Sequence, residues 1–549
     1  MVVLLVAGTV VAVRAVTAGA AGCTAGVPLT VAVNPDIYPP VREIAARWAA
    51  TDPRVDDNCI RIQVNPVPAA DVANALAVRA GAGAYINVAA RPVPTPADDE
   101  VPAVWIPDSS SWTGRVRAVN RDAFDDDFAS VATSPVVLAM PEPLAGTVTG
   151  GAPRRLTGQE VADLLRRSLR GQDKDVRLGI AEPRRDAAGL VGAVLTYDAV
   201  ATGPAQLPAL VGAYRTVAVG ADRAAVLAGF GQGQTVAPLT EQAVVAHDAG
   251  SPATPLVAVP LDAGYVLDYP YARVAGKPRA VARAADLFRA ALQAPAARQV
   301  LARAAFRDPS GAADAGFPTG HGVTADPVAG NPLDDPKKIA DVLGVWSAAK
   351  IPSRIVSSTD ITAATAGPLV PGGPPLLQIV QKTQLEGLKL FTDDSEMATW
   401  EFAAGLDGGR AYREKVPMGQ LGAVQRDKIN LGIMSSQSVP TTERGLYETV
   451  LAGYRAVRDG WDPDRSNTVL VFTSGGNTKP DGLTLDDVQL ELEKLTDPTK
   501  PIRVVLLGFG PEVNLDELNA IAKTSGGKAF KVERPEEIGS IFLEALLRS

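Results

Sequence analysis

VPLTVAVN (27–34), VREIAARWAA (41–50), CIRIQVNPV (59–67), ADVANALAVRA (70–80) and AVWIPD (103–108) follow one another near the start of the chain. The first, third and fifth are short apolar runs, while the second and fourth repeat their apolar residues at the spacing of an amphipathic helix. This β-α-β-α-β order specifies a parallel sheet with covering helices. Sheets of that kind place ligands beyond the carboxyl ends of their strands. The loops to inspect are therefore the polar ones that leave the runs: Asn34-Pro35-Asp36, Asp108-Ser109-Ser110-Ser111-Trp112 and Thr133-Ser134-Pro135.

Further along, Arg184-Arg185-Asp186-Ala187-Ala188-Gly189 precedes the apolar helical run LVGAVLTYDAV (190–200). Two readings stand open here: backbone N–H groups and guanidiniums converging on an anion, or a helix start with solvated charges. Leu256 to Leu261 reads as a strand, and the stretch from Asp262 to Tyr271 gathers Tyr265, Tyr269 and Tyr271, a set that either lines a cleft or packs.

The chain has 549 residues, too long for one core, so two or three folding units are expected. Apolar residues make up 46% and charged ones 21%, which provides ample core and excludes bulk disorder. Fifty-three Lys and Arg against 61 Asp and Glu give a net charge of −8, and no basic stripe with aromatics appears, so nucleic acid is not an expected partner. The only histidines, His247 and His321, lie far apart, which argues against a His-based metal or acid–base centre.

Val2 to Gly22 is a Val/Ala/Leu run broken by Arg14, and it reads as a secretory signal or a membrane anchor over 1–22. The basic start such segments carry is missing, so a longer, Arg-rich beginning is expected. Cys23 follows Ala20-Ala21-Gly22, a partial match to a lipoprotein cysteine. Cys59 is the other cysteine, and each opens a strand-like run; neighbouring strands lie about 5 Å apart, within disulfide reach. A Cys23–Cys59 bridge is the expectation over lipidation, and either places the folded part outside the reducing cytoplasm.

The succession NPDI (34–37), WIPDSSSW (105–112), SPVVLAMP (134–141), RRDAAGL (184–190) and LDAGYVLDYPYA (261–272) resembles extracellular solute-binding proteins of the two-lobed, hinged kind, in the variant fused to a von Willebrand factor A domain in actinobacteria. The resemblance implies two α/β lobes closing on a ligand over 23–330, a small or polymeric envelope ligand. It marks Ser109, Ser110, Ser111, Trp112, Ser134 and Arg185 as cleft residues; Asp36 and Tyr265 join them from the loop and aromatic readings above. FPTGHGVTADPVAGNPLDDPKK (317–338) is rich in Pro, Gly and Asp and leads into a short amphipathic stretch, KIADVLGVWSAA (338–349), so 331–351 is expected to be a linker.

From 352 to 549, strand-like runs again alternate with helical ones, the pattern of a Rossmann-like doubly wound α/β sheet. LFTDDSEMATWEF (390–402), GLYETVLAGYRAV (445–457), NTVLVFTSGGN (467–477) and PIRVVLLGFG (501–510) resemble the von Willebrand factor A domain. That family holds a divalent ion with an Asp-x-Ser-x-Ser loop, a Thr and a second Asp, and offers the ion to a partner's carboxylate. Here the first loop is Asp360-Ile361-Thr362-Ala363-Ala364, the second Asp is replaced by Ser474, and the Thr position falls on Arg444, with Thr441 and Thr442 nearby. The resemblance thus implies a degenerate site in which an Asp360–Arg444 ion pair stands where Mg²⁺ would sit, with no cofactor expected.

No enzyme is expected. Gly229-Phe230-Gly231-Gln232-Gly233-Gln234 follows a helical stretch, unlike a phosphate-binding loop. No G-x-x-x-x-G-K-[ST] or G-x-S-x-G pattern occurs, Glu241 with Asp248 is an ordinary helix pair, and Asp122 to Asp127 reads as a solvated turn. The expectation is an extracytoplasmic binding or adhesion-type protein held at the membrane by its N-terminus, with a protein partner on the C-terminal domain. The alternative is the substrate-binding receptor of a transport system.

Overall fold

The computed structural model describes residues 26–80, 97, 100–125, 128–152, 154–169, 175–200, 207–262, 264–480, 482–497, 499–534 and 541. The expected 1–22 segment and Cys23 lie outside the described residues, as do 535–540 and 542–549. Among the described residues, no helix is long and apolar enough to cross a membrane. The chain has the α/β fold class its patterning implies: a two-lobed module followed by a doubly wound sheet.

The first lobe is built on a six-stranded sheet in the order Arg54–Val55, Asn58–Pro66, Gly26–Val33, Val104–Ile106, Pro270–Arg273, Ala129–Ser130. Gly26–Val33 runs parallel to both of its neighbours, with Ala32 opposite Trp105. Leu29, Val31 and Val33 feed one apolar cluster, while Ala32 and Trp105 feed another on the opposite face. Both faces are thus covered, which is why this strand reads as a nearly continuous apolar run. Cys59 stands opposite Gly26 in the register.

The second lobe centres on Ser134–Pro141, which pairs antiparallel with Leu256–Val259, Val266–Leu267 and Ala237–Thr240. A parallel pair, Gly179–Ala181 with Ala218–Gly220, lies beside it.

The chain crosses between the lobes at 131–133, at 268–269 and at Arg307, and hydrogen bonds tie the crossings together. The Val131 amide donates to the Tyr269 carbonyl at 3.0 Å, and Thr133 and Arg307 exchange amide-to-carbonyl bonds of 2.9 and 3.0 Å. Tyr269 adopts φ +37°, a left-handed conformation unfavourable for a bulky residue.

The stretch expected to be a linker, 331–351, is largely a helix, Pro336–Lys350, capped by the Asp335 side chain. Its Ile339, Val342, Val345 and Trp346 belong to the main apolar cluster of the two-lobed module. The Pro/Gly-rich composition ahead of it describes its approach and not the helix itself. The preceding segment also lies on the second lobe, where the His321 carbonyl accepts from Ala258 and the Asn331 carbonyl from Val266.

The C-terminal unit carries a six-stranded sheet in the order Arg410–Gln420, Glu396–Leu406, Ser353–Asp360, Ser466–Thr473, Arg503–Phe509, Lys528–Val532. All neighbours are parallel except the edge strand Arg410–Gln420. Ile355 and Val356 enter apolar clusters on opposite faces, as a doubly covered sheet requires. The edge strand and the helix Ala423–Met434 were not anticipated from the sequence.

Candidate functional site

Loops from both lobes meet around one guanidinium. Asp36 follows the strand Gly26–Val33, Asp108 follows Val104–Ile106, Asp186 precedes the helix Ala187–Val200, and Arg223 opens the helix Arg223–Gly229. Arg223 Nη1 lies 2.7 Å from Asp36 Oδ2, and its Nη2 lies 3.9 Å from Asp108 Oδ2 and 3.8 Å from Asp186 Oδ2. Tyr269, at the crossing between the lobes, donates its phenol to Asp36 Oδ2 at 2.5 Å. The other Asp36 oxygen accepts from Asn34 Nδ2 at 2.7 Å and from the Ile37 amide at 2.9 Å.

The environments push these carboxyls apart. Burial is the strongest single influence on Asp36 and would raise it, but the Arg223 charge and hydrogen bond, together with the Tyr269 and Asn34 donors, hold the carboxyl below its ordinary value. Asp108 is 2% exposed, and burial, reinforced by Asp186 and Asp36, pushes it up to about 8. Trp112 Nε1 donates to its Oδ1 at 2.8 Å. One guanidinium therefore serves three carboxylates, with Asp36 as its close partner.

The residues expected in the cleft divide by role. Asp36 is at the centre of this cluster, and Trp112, 1% exposed, positions Asp108. Ser109 caps the helix Ser110–Val119 by accepting from the Ser111 amide at 3.1 Å, and the Ser110 amide donates to Asp268 at 2.7 Å. Ser111 and Ser134 are buried, and Ser134 Oγ accepts from the Gln242 amide at 3.1 Å, which joins two elements of the second lobe. Arg185 reaches the other lobe and pairs with Asp71 at 2.6 Å. Gly189, behind it, is where a Cβ would meet the Ala181 carbonyl oxygen at 2.2 Å, so the helix start can seat only glycine.

Tyr265 is not brought to the cluster: its charged neighbours are Asp198 and Asp335, and it packs at the module's apolar core. Tyr271 is a core residue whose phenol donates to the Ala285 carbonyl. Arg223 was missed by sequence reasoning. Its signal was faint: Asp222, one residue before it, is a helix cap that accepts from the Ala225 amide.

In the C-terminal unit, the loop compared above with a metal loop is internally satisfied. Asp360 Oδ1 accepts from the Thr362 amide at 2.8 Å and its hydroxyl at 2.7 Å. Oδ2 accepts from the Ser474 amide at 2.9 Å and its hydroxyl at 2.5 Å, and lies 3.2 Å from Arg444 Nε. Arg444, 4% exposed, also donates to Ser474 Oγ at 2.9 Å and to Glu512 at 2.8 Å. A Cβ on Gly475 would meet Arg444 Nη1 at 2.6 Å, so the guanidinium lies against bare backbone. With both Asp360 oxygens engaged and a fixed cation beside them, the donor set does not fit a divalent ion.

The chain is similar to an uncharacterized protein of Mycobacterium tuberculosis (strain ATCC 25618 / H37Rv), 28% identical over 564 aligned positions that cover 94% of this chain and 76% of the relative. Among solved structures it is similar to the substrate binding protein of an ABC transporter from Agrobacterium tumefaciens, at 13% identity and TM-score 0.39, covering 60% of this chain and 95% of that one. It is also similar to a von Willebrand factor type A protein from Catenulispora acidiphila, at 13% identity and TM-score 0.30, covering 36% of this chain and 42% of that one. The family model described as bacterial extracellular solute-binding protein matches residues 29–307, just over half of the chain. Its span takes in both lobes and every member of the Arg223 cluster, and on that match the chain belongs to the bacterial extracellular solute-binding protein family.

Proposed function

We propose that this protein works at the cell envelope as a membrane-held binding protein, with no catalytic step of its own. Its two-lobed module closes on a solute, and its C-terminal unit acts as a von Willebrand factor A-like domain that contacts a protein partner without a metal ion. The observation that carries the reading is the cluster around Arg223, where loops of both lobes converge beyond strand ends and where charges are held out of water between two hinged bodies. The Cys23–Cys59 bridge and the N-terminal anchor belong to the same reading, since both suit an extracytoplasmic chain.

A second reading, a receptor that delivers its solute to a permease, is favoured by the family match itself. The two share the solute and differ in the partner. The test is a thermal-shift screen of the full chain against a broad solute collection, followed by crosslinking in membranes. A solute at 100 times its Kd adds about 2.7 kcal/mol of stability. Crosslinks from the C-terminal unit to an envelope protein support the first reading, and crosslinks from the lobes to a permease support the second. A collection in which no solute shifts the transition counts against both.

A further inference from the structure

Three ion pairs among the described residues bridge the lobes, and in each the carboxylate comes from the first lobe. The first lobe supplies the carboxylates of Asp36, Asp71 and Asp108. The second lobe supplies the guanidiniums of Arg185 and Arg223. When the lobes part to admit a solute, one wall of the cleft carries carboxylates and the facing wall carries both guanidiniums, with Asp186 beside Arg223.

Reclosing over a solute removes these charges from water a second time, and a buried charge left without a partner is strongly destabilising. A simple anion would answer the guanidiniums and face the carboxylates of Asp36, Asp71, Asp108 and Asp186. A simple cation would answer the first-lobe carboxylates, leaving Arg223 with Asp186 alone and Arg185 with its Asp71 partner taken. The self-paired state already shows unused capacity of both signs. Asp108 stands 3.9 Å from its nearest guanidinium nitrogen and keeps its proton up to about pH 8. Arg223 Nε, in turn, is out of contact with solvent and has no acceptor among the described residues.

We propose that the cleft takes a zwitterionic solute, its cationic group lodged against Asp36 and Asp108 and its anionic group against Arg223 and Arg185. This rests on the solute-binding reading above and narrows it to a ligand class. The present Arg223–Asp36 pair is then a stand-in: each residue occupies the place that the solute's like-charged group takes on binding.

The experiment is calorimetry and thermal shift on the full chain near neutral pH. The probes are glycine, β-alanine, γ-aminobutyrate and ε-aminocaproate, each set against the amine and the carboxylate of matching length. At least one zwitterion is expected to bind where its matched amine and carboxylate do not. Arg185→Ala, on an exposed rim where folding is not at stake, is expected to weaken that binding about tenfold. Arg223→Ala is expected to abolish it. A matched amine or carboxylate that binds as well as the zwitterion overturns the ligand class and leaves the solute-binding reading standing. Silence across the whole series, with a hit in the broad screen, overturns it in the same way; silence in both removes the two readings together.

Discussion

The phenol of Tyr269 donates to Asp36 at 2.5 Å, so the strained residue at one lobe crossing is fastened to the carboxylate that receives Arg223 from the opposite lobe. The hinge and the ionic cluster are thus one structure. Tyr269 also packs edge-on against Phe306 at 5.1 Å, beside Arg307 at another crossing. Tyr269→Phe keeps that ring contact and removes one bond to a charged acceptor, so the two-lobed module is expected to lose about 1.5–3 kcal/mol. Urea denaturation of the pair of proteins checks it; an unchanged midpoint would show that the phenol adds nothing.

Asp108 sets a pH dependence whose sign follows from its raised value. Its folded carboxyl is pushed up to about 8 from an ordinary 3.8, so the fold favours the protonated form. Stability from this group is fully present below the ordinary value and is lost as pH rises through about 8. The groups that face it are Asp36, Asp186, Arg223, Tyr269 and Trp112. Asp108→Asn keeps the size and stays neutral. The melting temperature of the variant is expected to gain on that of the wild type as pH is raised from acid towards alkaline values. Parallel curves would place the proton elsewhere.

Arg307 is a fully buried guanidinium, bidentate to Glu241 at 2.7 and 2.9 Å, that also donates to the Thr324 and Asp326 carbonyls at 2.7 Å each. Arg307→Met strands the Glu241 carboxylate and frees the segment that those carbonyls belong to. The expected loss is about 3–5 kcal/mol. Limited proteolysis is expected to cut first within 311–330 in the variant; protection equal to the wild type would deny the staple its role.

In the C-terminal unit the Arg444 guanidinium sits 3.2 Å from Asp360. Titration of Mg²⁺ or Mn²⁺ into the protein is expected to give no calorimetric binding at submillimolar concentration, and a chelator is expected to leave the melting temperature unmoved. Saturable binding that Asp360→Ala abolishes would show that the guanidinium yields to a metal.

Much of the fold was legible because its cause is local. Leu29, Val31 and Val33 repeat at the strand period, and the runs between strands repeat at the helical one. What escaped was structure whose apolar residues have no local partner. The helix Ala423–Met434 leaves Val424, Leu431 and Met434 about two-thirds exposed, which blurs its amphipathic period, and the edge strand Arg410–Gln420 is mostly polar outward.

The site was half legible for a similar reason. Asp36 and Trp112 lie in loops directly after strands, where the sheet itself points to them. Arg223 comes 187 residues after Asp36 along the chain, and nothing near it in sequence announces the carboxylates it meets. Ser109 and Ser134 are polar for a structural reason, since each satisfies a backbone amide, and composition cannot tell that duty from ligand contact.

Trp346 donates its indole N–H to Glu182 at 3.0 Å, and Glu182 also accepts from Arg184, in the loop that carries Arg185 and Asp186. The helix bearing Trp346 ends at Lys350, whose ammonium donates to the Val217 carbonyl at 2.9 Å, and Ser353 then begins the central strand of the next sheet. Two residues separate this anchored helix from that strand, so the downstream unit is moored close to the two-lobed module instead of hanging on a slack tether.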